Sequence, residues 1–118
     1  MFGMTRQVRV IAYSAPVDMR KSFHTLSGLI LESGQDVLQG GMFLFVSKCR
    51  RRAKVLWFDG TGLLLLAKVL EQGRFAAVWS RADPEMSLSE LAVFLDANQD
   101  VGRASIVQRV LVLKKQPT

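Results

Sequence analysis

The most chemically distinctive part of this sequence is a run of cations near its middle, Lys48-Cys49-Arg50-Arg51-Arg52-Ala53-Lys54. Neighbouring positive charges repel one another, so a fold gains nothing locally from placing them together. The run lies between two apolar segments, which predicts a turn that joins two paired strands and is held in solvent. A charged loop that only blocks aggregation needs far fewer cations, whereas consecutive arginines suit bidentate contacts with phosphate. We therefore expect a nucleic-acid-binding site formed by Lys48, Arg50, Arg51, Arg52 and Lys54.

A second cationic pair, Arg20 and Lys21, follows Asp18 at the predicted start of a helix. Asp18 is a suitable cap for a helix that runs from Met19 to about Glu32. Cations in a first helical turn oppose the helix dipole, yet free amides beside Arg and Lys can bind an anion. Two interpretations stay open: Arg20 and Lys21 add to the nucleic-acid site, or one of them pairs with Asp18.

Residues that carry enzymatic chemistry are scarce. His24 is the single histidine and Cys49 the single cysteine, so a His/Cys metal cluster cannot form within one chain. Neither a phosphate-binding loop nor a dinucleotide motif is present. A metal-dependent nuclease could use Asp18 or Asp59, but helix capping and turn formation explain these two carboxylates more simply. We expect no enzymatic activity and no cofactor.

The net charge of +6 is unevenly distributed along the 118 residues. Residues 1–54 hold nine Lys/Arg and three Asp/Glu, which accounts for the whole +6, while residues 55–118 hold seven of each sign. A further group of cations occupies the tail, at Arg103, Arg109, Lys114 and Lys115. Such an asymmetry indicates a polyanionic partner.

The length and composition fit one globular domain with a single core. Hydrophobic residues make up 49% of the chain. The apolar stretches fall far short of the roughly 20 residues that cross a bilayer, and Met1–Arg9 does not look like a signal peptide. A lone cysteine excludes an intrachain disulfide. We expect a cytoplasmic protein with no membrane partner.

Hydrophobic periodicity and turn residues predict an α+β domain with an antiparallel sheet of about four or five strands and two helices packed on it. The predicted elements are strands at Gln7–Tyr13, Met42–Val46, Lys54–Phe58, Leu63–Leu70 and Arg74–Trp79, with helices at Met19–Glu32 and Ser87–Ala97. Leu63–Leu70 is equally compatible with a helix. Ile106–Leu113 is β-branched enough for a strand, although a helix is again an alternative.

Two short motifs support this order of elements. Asp59-Gly60-Thr61-Gly62 has the residues of a tight hairpin turn. Ser87 followed by Glu90 three residues later matches a capping box at the start of the second helix. The aromatic residues near the hairpins could stack on bases, but packing in the core or a protein–protein patch is the favoured interpretation. These residues are Trp57, Phe58, Phe75 and Trp79.

Three segments in this order and spacing resemble a known family. They are Val17-Asp18-Met19-Arg20-Lys21-Ser22-Phe23, then Gly41-Met42-Phe43-Leu44-Phe45 with the arginine run, then Lys54-Val55-Leu56-Trp57-Phe58-Asp59-Gly60-Thr61-Gly62 continuing to Lys68-Val69-Leu70-Glu71-Gln72-Gly73-Arg74-Phe75. Together they are similar to the small TnpB, or second-reading-frame, accessory proteins of bacterial insertion sequence sixty-six transposons. The resemblance covers about residues 8–98. Ser22 stands where the family usually has Gly, and the tail beyond Gly102 is not covered.

The resemblance implies a role in transposition beside a separate transposase that performs the strand chemistry, and it implies no catalytic residues. We expect an accessory-type domain over residues 1–100 with a basic extension over 101–118. The leading hypothesis is a non-catalytic protein that binds DNA through the cationic segment, helped by Arg20 and Lys21. The alternative is an adaptor that docks on the transposase without touching DNA. An exposed edge strand would allow a homodimer under either hypothesis.

Overall fold

The computed structural model describes residues 8–97. The elements in this part of the chain are β1 (Val10–Ala12), α1 (Phe23–Glu32), β2 (Met42–Val46), β3 (Arg52–Phe58), β4 (Leu63–Val69), β5 (Glu85–Met86) and α2 (Leu88–Asp96). Single turns of 3-10 helix lie at Val37–Gln39 and Val78–Ser80. The α+β class is confirmed. None of the helices within residues 8–97 is long and apolar enough to cross a bilayer.

The strands form one sheet in the order β4-β3-β2-β1-β5. β1 runs parallel to β2, with Val10 opposite Met42, whereas the other neighbours are antiparallel. The sheet is therefore mixed, and the prediction of a purely antiparallel sheet was wrong in this one pairing. The long connection through α1 returns the chain to the same end of the sheet, so β2 can follow β1 in the same direction.

The two helices cover opposite faces of the sheet, and the central strand is buried on both. All five residues of β2 are buried. Met42, Leu44 and Val46 join the core cluster that contains Leu91 and Leu95 of α2, whereas Phe43 and Phe45 join the cluster that contains Leu26 and Ile30 of α1. Alternation along the strand thus supplies both cores, as expected for a strand whose two faces are covered.

The first helix begins later than the sequence predicts. Its N-cap position is Ser22, whose side chain makes no capping hydrogen bond. Asp18, the predicted cap, instead accepts hydrogen bonds from the backbone and side chain of Arg20. The Lys21 N–H donates to the Asp18 carbonyl at 3.1 Å. Because the Asp18 carboxylate is engaged within its own turn, Arg20 and Lys21 precede α1 rather than forming its first turn.

The second helix begins as predicted. The Ser87 hydroxyl accepts from the Glu90 N–H at 3.1 Å, and the Glu90 carboxylate accepts from the Ser87 N–H at 2.8 Å, which completes the capping box. Leu91 and Leu95 are buried, whereas Leu88 is 40% exposed. The two buried leucines lie four residues apart, so they share the face of α2 that packs on the core.

The hairpin between β3 and β4 confirms both its turn and the strand assignment of the leucine-rich segment. Asp59 Oδ1 accepts from the backbone N–H groups of Thr61 and Gly62, each at 2.9 Å. Gly60 has a φ of 103°, a conformation that favours glycine. Seven residue pairs then join β3 to β4, from Arg52–Val69 to Phe58–Leu63.

The predicted strand at Arg74–Trp79 was wrong. Residues 74–77 form no regular element and lead into the 3-10 turn at Val78–Ser80. Phe75 is buried in the α2-side core through tertiary packing that a period-two pattern cannot distinguish from a strand. The two-residue strand β5 was not predicted, since it is too short to carry a pattern. The predictions for Gln7 and for Ile106–Leu113 fall outside the described residues.

Candidate nucleic-acid interface

The cationic run forms a tight connection between β2 and β3, here called the basic turn (residues 48–51). Ser47 and Arg52 close it: the Ser47 N–H donates to the Arg52 carbonyl at 3.0 Å, and the Ser47 hydroxyl accepts from the Arg52 N–H at 3.2 Å. The Arg50 N–H donates to the Ser47 carbonyl at 2.9 Å. The run therefore joins two paired strands through a turn, as its position between two apolar segments predicted.

The basic turn is also joined to the chain that follows β4. The Arg50 carbonyl accepts from the Phe75 N–H at 2.7 Å, and the Arg51 carbonyl accepts from the Leu70 N–H at 2.8 Å. Arg50 has a φ of 63°, in the left-handed region that arginine rarely adopts. Buried Phe75 and Leu70 thus hold the backbone of the turn, while its side chains are left to point away from the core.

Two of the predicted site residues use their charge within the fold. The Arg51 guanidinium donates to the carbonyls of Leu70 and Glu71, at 3.2 and 2.9 Å. Lys54 Nζ donates to the Lys21 carbonyl at 2.7 Å. These contacts give Arg51 and Lys54 a structural role, because Arg51 ties the basic turn to the chain after β4, and Lys54 ties β3 to the segment before α1.

Three other cations of the run keep their charge available. Within residues 8–97, the side chains of Lys48, Arg50 and Arg52 make neither a hydrogen bond nor an ion pair. Lys48 and Arg52 are exposed and Arg50 is half-buried. Clustered cations without internal partners are well suited to bind phosphate, since no existing interaction has to be broken first.

The segment before α1 lies beside the basic turn because it continues along β2. The Tyr13 N–H donates to the Leu44 carbonyl at 2.9 Å, and the Val17 N–H donates to the Val46 carbonyl at 3.0 Å. An open groove of about 920 Å³ separates residues 16–20 from residues 47–52. We call it the basic groove; its lining includes Asp18, Arg20, Ser47, Lys48, Cys49 and Arg52. Two parts of the sequence that carry predicted site residues therefore meet across one surface depression.

Arg20 contributes to this groove as one half of an ion pair. Its guanidinium lies 2.6 Å from the Asp18 carboxylate, and its side chain is 92% exposed. Hydrogen bonds from the Arg20 side chain and backbone hold the pKa of Asp18 far below its usual range, and Asp18 raises the pKa of Arg20. Of the two interpretations left open by the sequence, the pairing with Asp18 is thus the one observed for Arg20. Lys21 is half-buried, and its backbone carbonyl receives Lys54.

Cys49 is a member of the groove that sequence reasoning overlooked. It is exposed, and its Sγ lies 3.4 Å from the Ser47 hydroxyl. Hydrogen bonding from Ser47, followed by the backbone N–H of Arg51, lowers the pKa of the Cys49 thiol. Its position inside a cationic run was the available signal, because positive surroundings favour the thiolate.

The remaining candidates for chemistry lie elsewhere. Residues 8–97 contain no group of three or more His, Cys, Asp and Glu side chains that could hold a metal ion. His24 is exposed on α1. Phe75 is buried, and the other hairpin aromatics pack against the two core clusters as half-buried residues, as the favoured interpretation expected: Trp57, Phe58 and Trp79.

Comparison with known proteins agrees with the resemblance noted in the sequence. Residues 8–100 match the family described as IS66 Orf2-like protein. Two uncharacterized proteins of Sinorhizobium fredii are similar: y4jC, 33% identical over 79 residues, covering 64% of this chain and 65% of the relative, and y4hO, 35% identical over 84 residues, covering 70% and 71%. The aligned region thus spans just under two thirds of y4jC. No solved structure matches the chain.

The family match extends over most of the chain and includes both sides of the basic groove. The chain therefore belongs to the IS66 Orf2-like family, whose members are accessory proteins of IS66 insertion sequences.

Proposed function

We propose that this protein assists transposition of its element as a non-catalytic DNA-binding protein, while a separate transposase performs the strand chemistry. DNA would lie across the basic turn and the basic groove, with Lys48, Arg50 and Arg52 on its phosphates. The observation that carries the proposal is that Lys48 and Arg52 both line the basic groove, with Arg50 in the adjoining basic turn, and that none of the three has an internal partner in residues 8–97.

Arg20 and Lys21 extend the proposed surface on the other side of the groove. Arg20 is highly exposed and forms a neutral pair with Asp18, so it can share its guanidinium with a phosphate at little cost. Arg51 and Lys54 are proposed to belong to the same site. Their main role there is structural, because both side chains donate hydrogen bonds to backbone carbonyls.

The charge pattern supports backbone contact rather than base readout. Cations on a turn reach phosphates, which carry no sequence information by themselves. Each phosphate neutralised contributes about −0.9 to the slope of log K against log salt for duplex DNA. Three contacts therefore give a slope of about −2.7, and the affinity for element-end DNA and for random duplex should fall in parallel.

A pair of double variants with the same change in net charge tests the proposal. Lys48→Ala/Arg52→Ala removes two groove cations, whereas Arg9→Ala/Arg81→Ala removes two cations near β1 and β5. Each variant lowers the net charge from +6 by two. Fluorescence anisotropy across a salt series should show a slope reduced by about 1.8 for the first variant only.

Two outcomes would contradict the proposal. A slope of log K against log salt near zero for the wild-type protein would rule out phosphate binding. An equal loss in both double variants would mean that net charge, and not this surface, governs binding. The adaptor hypothesis would be favoured if Lys48→Ala/Arg52→Ala left DNA binding unchanged and the protein co-purified with the transposase from nuclease-treated, high-salt lysate.

A further inference from the structure

The outer edge of β4 is unpaired within residues 8–97. β4 is the last strand on its side of the sheet order, and β3 is its neighbour on the other side. Its sequence, Leu-Leu-Leu-Leu-Ala-Lys-Val, is strongly apolar, and Leu66 and Val69 are 38% and 50% exposed. A long apolar edge of this kind is a template for another strand, and folded proteins normally cover it or break it up with charges.

Two hydrogen bonds at the ends of the β3–β4 ladder show which backbone groups face outward. The Leu70 N–H donates to Arg51, and the Asp59 N–H donates to Gly62. Because hydrogen-bonded pairs alternate in an antiparallel ladder, the even-numbered residues from 62 to 70 face β3. The odd-numbered residues Leu63, Leu65, Ala67 and Val69 consequently present their N–H and C=O groups to the open edge.

The described chain ends beside this edge. Lys68, near the end of β4, donates from Nζ to the carbonyl of Leu95 in the last turn of α2, at 2.6 Å. Only Asp96 and Ala97 follow within the described residues. The chain beyond Ala97 therefore departs close to the C-terminal end of β4.

The sequence beyond Ala97 contains a segment that suits the edge. Residues 106–113 read Ile-Val-Gln-Arg-Val-Leu-Val-Leu, with one polar residue for each face of a strand and apolar residues at the other positions. Eight residues, 98–105, separate it from Ala97. They span at most about 28 Å, which is ample to enter the edge beside Lys68. Reaching the far end of β4, about 24 Å away, would need them almost fully extended.

We propose that residues 106–113 pair with the outer edge of β4 as a sixth strand, antiparallel to it. The pairing would satisfy the outward backbone groups of Leu63, Leu65, Ala67 and Val69. A second copy of the chain could use the same edge, but a short covalent connection gives the segment an effective concentration of about millimolar. The tethered segment therefore outcompetes a second copy at ordinary protein concentrations.

Amide hydrogen exchange measured by NMR on the full chain tests this proposal. The outward amides of Leu63, Leu65, Ala67 and Val69 should exchange at least about 100-fold more slowly than unprotected amides. Nuclear Overhauser contacts should join these residues to residues 106–113 with antiparallel register. Light scattering should show a monomer under the same conditions.

A double variant separates the segment from the rest of the fold. Val110→Pro/Leu111→Pro removes an N–H from each edge of the segment, so one of the two must be lost from the edge that pairs with β4. Protection of the outward amides should disappear while the β3-facing amides of Leu64 and Leu66 stay protected. Gln116→Pro, outside the segment, is the matched control and should leave both sets protected.

Several results would overturn the inference. Rapid exchange of the outward amides in the wild-type chain would show an open edge. Protection that persists in the double-proline variant would show that something other than residues 106–113 covers the outer edge of β4. Protection that grows with protein concentration alongside a dimer would assign the edge to a second copy.

Discussion

Strand β3 begins at the basic turn and ends at the turn Asp59–Gly62, and the two turns use charge in opposite ways. Asp59 directs its carboxylate inward, where it accepts from Thr61 and Gly62. These backbone hydrogen bonds, with that of Thr61 the largest cause, lower the pKa of Asp59. The basic turn is closed by the backbone and hydroxyl of Ser47 instead, and Lys48, Arg50 and Arg52 make no side-chain hydrogen bond or ion pair within residues 8–97.

This difference separates a charge that builds the fold from charges that are available to a partner. In the Asp59 turn the residue type explains the conformation. In the basic turn the backbone is held by Ser47, Leu70 and Phe75, and the Arg51 side chain adds a structural contact. Folding therefore does not explain why positions 48, 50 and 52 are Lys, Arg and Arg. Residues that folding does not require are the better candidates for function.

The largest effect should come from reversing charge in the basic turn and at Arg52, the first residue of β3. Lys48→Glu/Arg52→Glu should weaken duplex DNA binding by more than about 100-fold, because two phosphate contacts are lost and two repulsions are added. Thr61→Glu, which adds an acid at the exposed Asp59 turn, should change affinity far less. Anisotropy at low salt compares the two, and similar losses would mean that the turns do not differ in DNA contact.

Stability should respond at the other turn. Gly60→Ala forces a side chain into a φ of 103° with open space around it, so the cost is conformational, about 1–2 kcal/mol. Gly62→Ala is the matched control, since Gly62 has no positive φ and no atom within 4 Å of an added Cβ. Urea unfolding should show the loss for Gly60→Ala alone, with DNA binding unchanged in both variants. Equal stabilities would remove the structural role assigned to this turn.

Two substitutions at Arg50 should differ in stability but not in DNA binding. Its φ of 63° is strained for arginine, so Arg50→Gly should be more stable than Arg50→Ala by about 0.5–1 kcal/mol. Both variants should lose DNA affinity to the same extent, up to about tenfold. Unfolding and binding measured on the same samples would check this. If only Arg50→Ala lost affinity, binding would depend on the left-handed turn conformation, which Gly retains, rather than on the charge.

The smallest effect concerns the pair across the basic groove. Since hydrogen bonds from Arg20 lower the pKa of Asp18, the carboxylate stays ionised below the ordinary value of 3.8 and the pair is lost only in stronger acid. A carboxyl titration by NMR should place the Asp18 midpoint below 3.8. Arg20→Ala should return it toward that value, whereas an unchanged midpoint would rule out Arg20 as the cause.

Much of the fold was predictable because local patterns agreed with tertiary packing. The apolar run of β2, the Asp59 turn and the Ser87–Glu90 capping box each contain their own explanation in adjacent residues. The start of α1 was not predictable in this way, because Asp18 had two competing partners and the contact with Arg20 prevailed. The Phe75 segment was mistaken for a strand because its burial depends on contacts distant in sequence.

The candidate site was predictable in composition but not in arrangement. The cationic run was evident from the sequence. That Arg51 reaches the Leu70 and Glu71 carbonyls, or that Lys54 reaches the Lys21 carbonyl, depends on chain segments 19 and 33 residues away. The basic groove likewise exists only because residues 13–17 follow β2. Sequence spacing alone does not predict these contacts between distant segments.

The most direct test of the account is chemical protection of one thiol at each turn by DNA. Cys49 lies in the basic groove, so saturating duplex should slow its alkylation by iodoacetamide by about tenfold or more. A thiol introduced by Thr61→Cys in a Cys49→Ser background reports the other end of β3 and should react at the same rate with and without DNA. Slower alkylation of Cys49 alone is the predicted result. Equal protection at both turns, or none at Cys49, would contradict the assignment of the basic turn and groove as the DNA-binding surface.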